Sequence, residues 1–259
     1  MFQRTVTILV WAPVFLAFLL LGSWPLAIFF IGIILLAVNE IKNMVEPKGL
    51  QIDLPAIAFL SSGAFFTQPL AEKNLIWMFF GFLVYLLAKK VLLFPSFTLN
   101  SLAMNCFTAL YIVTPFWFGY YLRSGYNGLA WILIVCLLTW AYDIFAYLAG
   151  CYLGKNHPFP DISPNKSTEG IIGGLLGSVV IMILVGISME LSALHFGILG
   201  LLGGITAQIG DLVESSLKRE YNIKDSGHLL PGHGGILDRF DSWILVVFVV
   251  ILFQRYVIL

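Results

Sequence analysis

LAWILIVCLLTWAYDIFAYLAG, running from Leu129 to Gly150, carries one charged side chain, Asp143, in a run otherwise built almost wholly of apolar and aromatic residues. A helix of about 20 such residues is what a bilayer requires. The run does not alternate apolar with polar positions, so it does not read as a strand of a membrane barrel. Working outward, eight further apolar runs read as spans, at 5–21, 24–39, 54–70, 74–93, 99–121, 171–189, 194–215 and 242–258. The fold class expected is therefore all-α: a polytopic integral membrane protein of about nine transmembrane helices. The run at 54–70 is short and interrupted by Ser, Gly and Pro, which makes it the weakest of the nine.

Bulk composition agrees. The chain is 59% hydrophobic and 11% charged, with a mean hydropathy of +0.94, whereas a soluble domain carries roughly 25% charged residues. The formal net charge is zero, so no general basic field speaks for a nucleic-acid partner. Cys106, Cys136 and Cys151 are scattered in or beside apolar runs and read as small buried hydrophobes, not as a disulfide framework. The first run lacks an A-x-A-like cleavage site and reads as a retained span. One catalytic domain over 1–259 is expected, with N-terminal spans over about 1–128 and a motif-bearing half over about 129–259.

With nine spans, eleven Lys and Arg residues fall on the side of the N-terminus and three on the other. The positive-inside rule then makes the N-terminal side cytoplasmic. The two long polar stretches, 150–170 and 216–241, fall on that same side, where nucleotides are available.

Acidic residues lie where lipid should be: Asp143 inside one span, Asp211 and Glu214 near the end of another, and Asp238 and Asp241 at the start of the last. An aspartate at mid-bilayer costs about 2.5–3.5 kcal/mol on the insertion scale, so such residues face cavities or partners. Asp211 and Glu214 are three apart, as are Asp238 and Asp241, which puts each pair on one helix face. Gathered acids need a cation, and oxygen-only ligands suit Mg²⁺. The plainer reading is an interfacial ion pair of Asp238 with Arg239 or Lys218. Around these acids, Pro231-Gly232-His233-Gly234-Gly235 offers unhindered backbone amides. Lys218, Arg219, Lys224, His228, His233 and Arg239 are suited to phosphate oxygens. Lys155, Ser163, Lys166, Ser167 and Thr168 of the other polar stretch could hold more, although the spacing is not that of a Walker A loop. Metal ligands beside phosphate donors point to phosphoryl or nucleotidyl transfer.

SLKREYNIKDSGHLLPGHGGILDRFDS, from Ser216 to Ser242, resembles the signature of the phosphatidate cytidylyltransferases, or CDP-diacylglycerol synthases. Asp143 to Lys155 and Ser163 to Gly170 resemble two further blocks of that family, with Ser167 where Thr is more usual and Thr168 where a bulky residue is common. The resemblance covers roughly 140–242. It implies the reaction of CTP with phosphatidic acid to CDP-diacylglycerol and pyrophosphate, in a homodimer of the bacterial inner membrane. It implies that Asp211, Asp238 and Asp241 bind Mg²⁺, with K⁺ as a possible second ion. Lys218, Arg219, Lys224, His233 and Arg239 would hold the triphosphate, and Gly234 and Gly235 would let the backbone approach. Asp143, Lys155, Ser163 and Lys166 would line the same pocket, while Glu214 and Asp225 receive no firm role beyond orienting a nearby lysine. A polyprenol kinase or aromatic prenyltransferase is a competing enzyme class, though a prenyltransferase has no use for Pro-Gly-His-Gly-Gly. A cation transporter would spread its acids through the bilayer depth with few basic partners.

Overall fold

The structure is a computed structural model that describes residues 2–66, 71–227 and 234–258. It contains ten α-helices: α1 (Phe2–Leu21), α2 (Ser23–Val45), α3 (Leu54–Phe66), α4 (Ala71–Leu92), α5 (Leu99–Thr108), α6 (Thr114–Ser124), α7 (Gly128–Leu153), α8 (Thr168–Ser188), α9 (Ala193–Glu220) and α10 (Leu237–Phe253). Among the described residues, seven helical stretches are long and apolar enough to cross a membrane, and the protein is a multi-pass membrane protein. The two remaining expected runs correspond to α1 (20 residues) and α3 (13 residues), and the 54–70 run ends on residues outside those described. Two helices also run past their expected ends. α2 continues to Val45 and α9 to Glu220, because Asn39–Lys42 and Ser216–Arg219 continue the helical pattern despite their polarity. The expected polar loops shrink accordingly.

The chain divides into two compact units. The first comprises residues 1–126 with 225–238, and the second 127–224 with 239–259. In the first unit, Leu26, Phe30, Ile34, Val38 and Ile41 of α2 are fully or almost fully buried, forming a stripe against α3 and α6. Phe30 meets Phe65 and Phe116 edge-on. α5 and α6 form one long helix with a wider π turn at Ala109–Val113 between them. Pro115 follows that turn and has no N–H to donate back along the helix, which is a recurrent setting for such a distortion. The indole N–H of Trp117 donates to the Ala64 carbonyl at 3.0 Å. Arg123 donates to the carbonyls of Leu19 and Leu20, satisfying the C-terminus of α1.

Asp53 anchors the base of α3. Its Oδ1 accepts from the Ala56 N–H at 3.1 Å, as a helix cap does. Its Oδ2 accepts from Lys89 at 2.5 Å and from the Tyr85 hydroxyl at 2.8 Å. Burial pushes this carboxyl up, but the bonds from Lys89, Tyr85 and Ala56 together hold it below the ordinary aspartate range.

The second unit is α7 to α10. α8 packs closely on both α7 and α9 because small residues line the contacts. A Cβ at Gly170 would stand 2.9 Å from the Ala146 carbonyl, so α7 and α8 touch backbone to backbone there. Between α8 and α9, the Ser178 hydroxyl donates to the Gly200 carbonyl at 2.9 Å. Trp131, Phe196 and Phe253 cluster at the opposite end of the unit from Asp143.

Because the Asp53 carboxyl is depressed in the folded state, its stabilisation is present above the unfolded aspartate value, near 3.9, and is lost as pH falls through the folded value. Asp53→Asn should therefore lower stability by on the order of 3 kcal/mol at neutral pH. The deficit should shrink towards zero in strongly acidic buffer. Thermal unfolding of wild type and variant in detergent across pH checks both the size and the sign.

Candidate functional site

Four elements of the second unit bring charge to one place. α7 contributes Tyr142 and Asp143, the α7–α8 loop contributes Lys166, α9 contributes Gln208 and Asp211, and α10 contributes Asp241. The Lys166 ammonium sits 2.5 Å from Asp211 Oδ2, while the Ser215 hydroxyl donates to Asp211 Oδ1 at 3.3 Å. Asp211 is close enough to Asp143 and to Asp241 to repel both, and Asp143 and Asp241 repel one another. Lys166 offsets this repulsion at both acids, and Arg239 does so at Asp143. Three carboxylates thus share one field, with Lys166 the cation that acts on all of them.

A cavity of about 540 Å³ opens here, lined by Tyr142, Asp143, Lys166, Ser167, Gln208 and Asp211 among others. On its wall, the buried Gln208 side-chain amide nitrogen has no hydrogen-bond acceptor among the described residues, and the Lys166 ammonium has none there beyond its ion pair with Asp211. Gln208 is oriented from behind, because the Tyr142 hydroxyl bonds to its Oε1. That bond leaves Nε2 as the group free to meet an acceptor in the cavity.

The loop carrying Lys166 is tied back on itself. Glu169 accepts from the backbone N–H groups of Lys155 and Asn156 and from the Asn156 side chain at 2.9–3.3 Å. The Thr168 N–H donates to the Asn156 carbonyl, and Ser167 caps α8 through the Gly170 N–H. Gly210 sets the distance between α9 and α10. A Cβ there would lie 2.5 Å from the Asp241 carbonyl and 3.1 Å from Ser242 Cα, so the residue beside Asp211 must be glycine for Asp241 to come this near.

The sequence model of the cytidylyltransferase family matches residues 2–257. The chain belongs to the cytidylyltransferase family. It is 36% identical over 253 residues to a phosphatidate cytidylyltransferase of Staphylococcus haemolyticus, covering 94% of this chain and 95% of that one. It is 38% identical to a Staphylococcus aureus phosphatidate cytidylyltransferase over the same shares. A Staphylococcus epidermidis relative of that name is 36% identical over 256 residues.

In this cytidylyltransferase the residues singled out from sequence are placed as follows. Asp143, Lys166, Asp211 and Asp241 come together in the second unit, with Arg239 in their field. Lys218 pairs with Glu214 one helical turn back, at 2.6 Å, and both side chains are largely buried. Glu214 therefore holds the Lys218 ammonium in place. Arg219 bonds to the carbonyls of Ile162 and Ile223 at 3.1 and 2.9 Å, joining the α7–α8 loop to the end of α9. Lys155, Lys224 and Asp225 are exposed, and Ser163 is half-buried. Asp238 belongs to the first unit together with Gly234 and Gly235, and its Oδ2 accepts from the Gly235 N–H at 2.7 Å and from the Ser226 N–H and hydroxyl at 3.0 and 2.9 Å. His228 and His233 lie outside the described residues.

Sequence reasoning did not single out Tyr142, Gln208, Ser226 or Glu40, although each touches a motif residue or lines the cavity. Gln208 could have been found as an amide in an otherwise apolar span, three residues before Asp211. Glu40 lies at the end of an apolar run and was assigned to a loop.

Gly210→Ala should lower the unfolding free energy by about 1–3 kcal/mol, the usual cost of overpacking. Gly32→Ala on α2, where an added Cβ meets nothing within 4 Å, should leave it unchanged or slightly raised. Paired thermal melts in the same detergent separate the two.

Proposed function

We propose that this cytidylyltransferase joins CTP to phosphatidic acid, releasing pyrophosphate and leaving CDP-diacylglycerol in the bilayer. The observation that carries the reading is the cavity whose wall holds Asp143, Asp211, Lys166 and the free donor of Gln208 within a body of apolar helices. An amphiphile with a phosphate head and a soluble triphosphate both need such a place: charged inside, greasy around it.

In the reaction, an oxygen of the phosphatidate phosphate forms a bond to the α-phosphorus of CTP. The bond from that phosphorus to the bridging oxygen of the β-phosphate breaks, and pyrophosphate leaves with the electron pair. The nucleophile is already an anion, so no strong base is needed. The barrier is repulsion between two polyanions, and cationic or hydrogen-bonding groups lower it by neutralising charge as it shifts. Lys166 is placed for that role beside Asp211, and the amide of Gln208 supplies a fixed donor.

Among the described residues no three His, Cys, Asp or Glu side chains form a ready metal shell. Mg²⁺ is commonly held by one or two carboxylates and fills its octahedron with waters and substrate phosphate oxygens. Asp211 and Asp241 would hold it, being hard oxygen donors that repel one another until a cation joins them, and the sequence signature adds Asp238. When bound, the ion would neutralise and align the phosphates. Lys218, Arg219, Lys224 and Arg239 would meet the triphosphate, as the sequence signature implies. Counted over the nine spans read from the sequence, the eleven-to-three bias of basic residues supports a cytoplasmic N-terminus and active site in the membrane that bounds the cytoplasm. The family resemblance supports a homodimer.

Purified protein given labelled CTP, phosphatidic acid in detergent micelles and Mg²⁺ should produce labelled CDP-diacylglycerol, and a chelator should stop it. Asp211→Asn and Asp241→Asn should each reduce turnover by about 100-fold or more. Absence of product from folded wild-type protein would overturn the reading.

A further inference from the structure

Glu40, near the C-terminal end of α2, is buried and spends its carboxylate on a segment far away in sequence. Oε1 accepts from the Ile236 N–H at 2.7 Å. Oε2 accepts from the Leu237 N–H at 3.0 Å and from the Ser226 hydroxyl at 2.9 Å. The two backbone donors stand at the N-terminus of α10, Ile236 just before it and Leu237 as its first residue, where N–H groups have no partner within the helix and favour a negative charge.

The backbone closes around this carboxylate from both sides. A Cβ at Gly227 would stand 2.8 Å from Glu40 Oε1, and one at Gly235 would overlap Oε2. Both glycines are therefore small where Glu40 is present. The same Ser226 hydroxyl also lies 2.9 Å from Asp238 Oδ2. One hydroxyl proton is thus shared between Glu40 and Asp238, while the Gly235 N–H holds Asp238 from the other side. The Ser226 hydroxyl that bonds Asp238 is itself bonded to Glu40, and the Gly235 N–H that does so adjoins Ile236, which is bonded to Glu40 as well.

We infer that Glu40 is a positioning residue for the reaction: a carboxylate from the N-terminal spans that fixes the orientation of Asp238 and the first turn of α10 through Ser226, Ile236 and Leu237. The inference rests on the function proposed above. It concerns a residue outside the signature, in the part of the chain where the sequence shows no catalytic motif.

The chemistry requires a carboxylate of this length. A glutamine has the same shape but turns an N–H₂ group towards N–H and O–H donors, which leaves donor facing donor. An aspartate keeps the charge but is one methylene shorter, so it cannot reach Ser226 and Ile236 together.

Glu40→Gln, Glu40→Asp and Ser226→Ala, each purified in detergent, test this by two readouts. In hydrogen–deuterium exchange, the peptide containing Ile236 and Leu237 should exchange faster in Glu40→Gln, by roughly 10-fold or more, with α8 and α9 unchanged. In the cytidylyl-transfer assay kcat should fall by roughly 100-fold, the scale of a small misplacement of a reacting group. KM for phosphatidic acid should stay near wild type, and the Mg²⁺ concentration for half-maximal rate should rise. Ser226→Ala should show the same pattern more weakly, and Ser226→Ala combined with Glu40→Gln should cost less than the product of the two single effects. Glu40→Asp should recover part of the exchange protection. Should Glu40→Gln not fold, Ser226→Ala carries the test, since it buries no new polar group. Wild-type exchange and wild-type Mg²⁺ dependence in Glu40→Gln, or in Ser226→Ala alone if that is the only folded variant, would overturn the inference. A wild-type protein that makes no CDP-diacylglycerol would instead count against the proposed reaction, while the exchange result would still decide whether Glu40 holds α10.

Discussion

A carboxylate inside an apolar helical body has to be answered, because an unpaired buried charge costs several kcal/mol. Each buried acid here has its answer within reach. Asp53 has Lys89 and Tyr85, Glu214 has Lys218, and Glu40 has two backbone N–H groups and a hydroxyl. These are one-to-one settlements, complete within the protein. Asp143, Asp211 and Asp241 differ in kind. They repel one another, and Lys166 bonds directly to Asp211 alone. Three acids share Lys166 and, at Asp143, Arg239, and a visiting cation would relieve the repulsion that remains. That imbalance separates a site from a structural ion pair, and a count of charged residues would not show it.

The backbone makes the imbalance possible. Helices with ordinary side chains at their contacts sit 8–10 Å apart, which keeps groups on neighbouring axes from crowding. Gly210 removes the side chain that would hold α10 away at Asp241, and the small residues between α7 and α8 do the same beside the Lys166 loop. Once α7 and α8 touch, the loop joining them is short enough of slack for Glu169 to tie it to Lys155 and Asn156. Close packing is thus the cause of the electrostatics, and the glycines are as much part of the site as the acids.

Much of this was legible. Apolar runs of bilayer length named the fold class, and acids within those runs named Asp143, Asp211 and Asp241. The spacing of the polar signature named the family. The parts that were not legible share one reason: hydropathy places a span boundary at the first polar residues, whereas a helix continues as long as its hydrogen bonds do. The second run was ended at residue 39, one residue before Glu40, and α2 continues to Val45. A buried acceptor was therefore read as loop. Tyr142 and Gln208 escaped for another reason. Each is unremarkable on its own helix, and their meaning arises only when α7 and α9 pack and the hydroxyl meets the amide. Spacing along one helix carries no record of such a meeting.

The division of the chain bears on what the signature is. It is continuous in sequence from Ser216 to Asp241, yet Lys218, Arg219 and Lys224 belong to the second unit, Ser226 to Asp238 to the first, and Arg239 and Asp241 to the second again. A motif that changes compact unit twice within so few residues is not a loop laid over a finished scaffold. Its middle section is bonded by Glu40 into the N-terminal spans, and its ends are bonded by Glu214 and by the α9–α10 contact at Gly210 into the C-terminal ones. The N-terminal spans lie outside the polar signature, although the family match includes them, and on that ground they look like an anchor. Glu40, a buried acid of theirs in hydrogen-bond contact with the signature, argues otherwise. Ordering Asp238 needs groups that the C-terminal unit does not itself contain, so the spans that carry no motif are part of what makes the motif work.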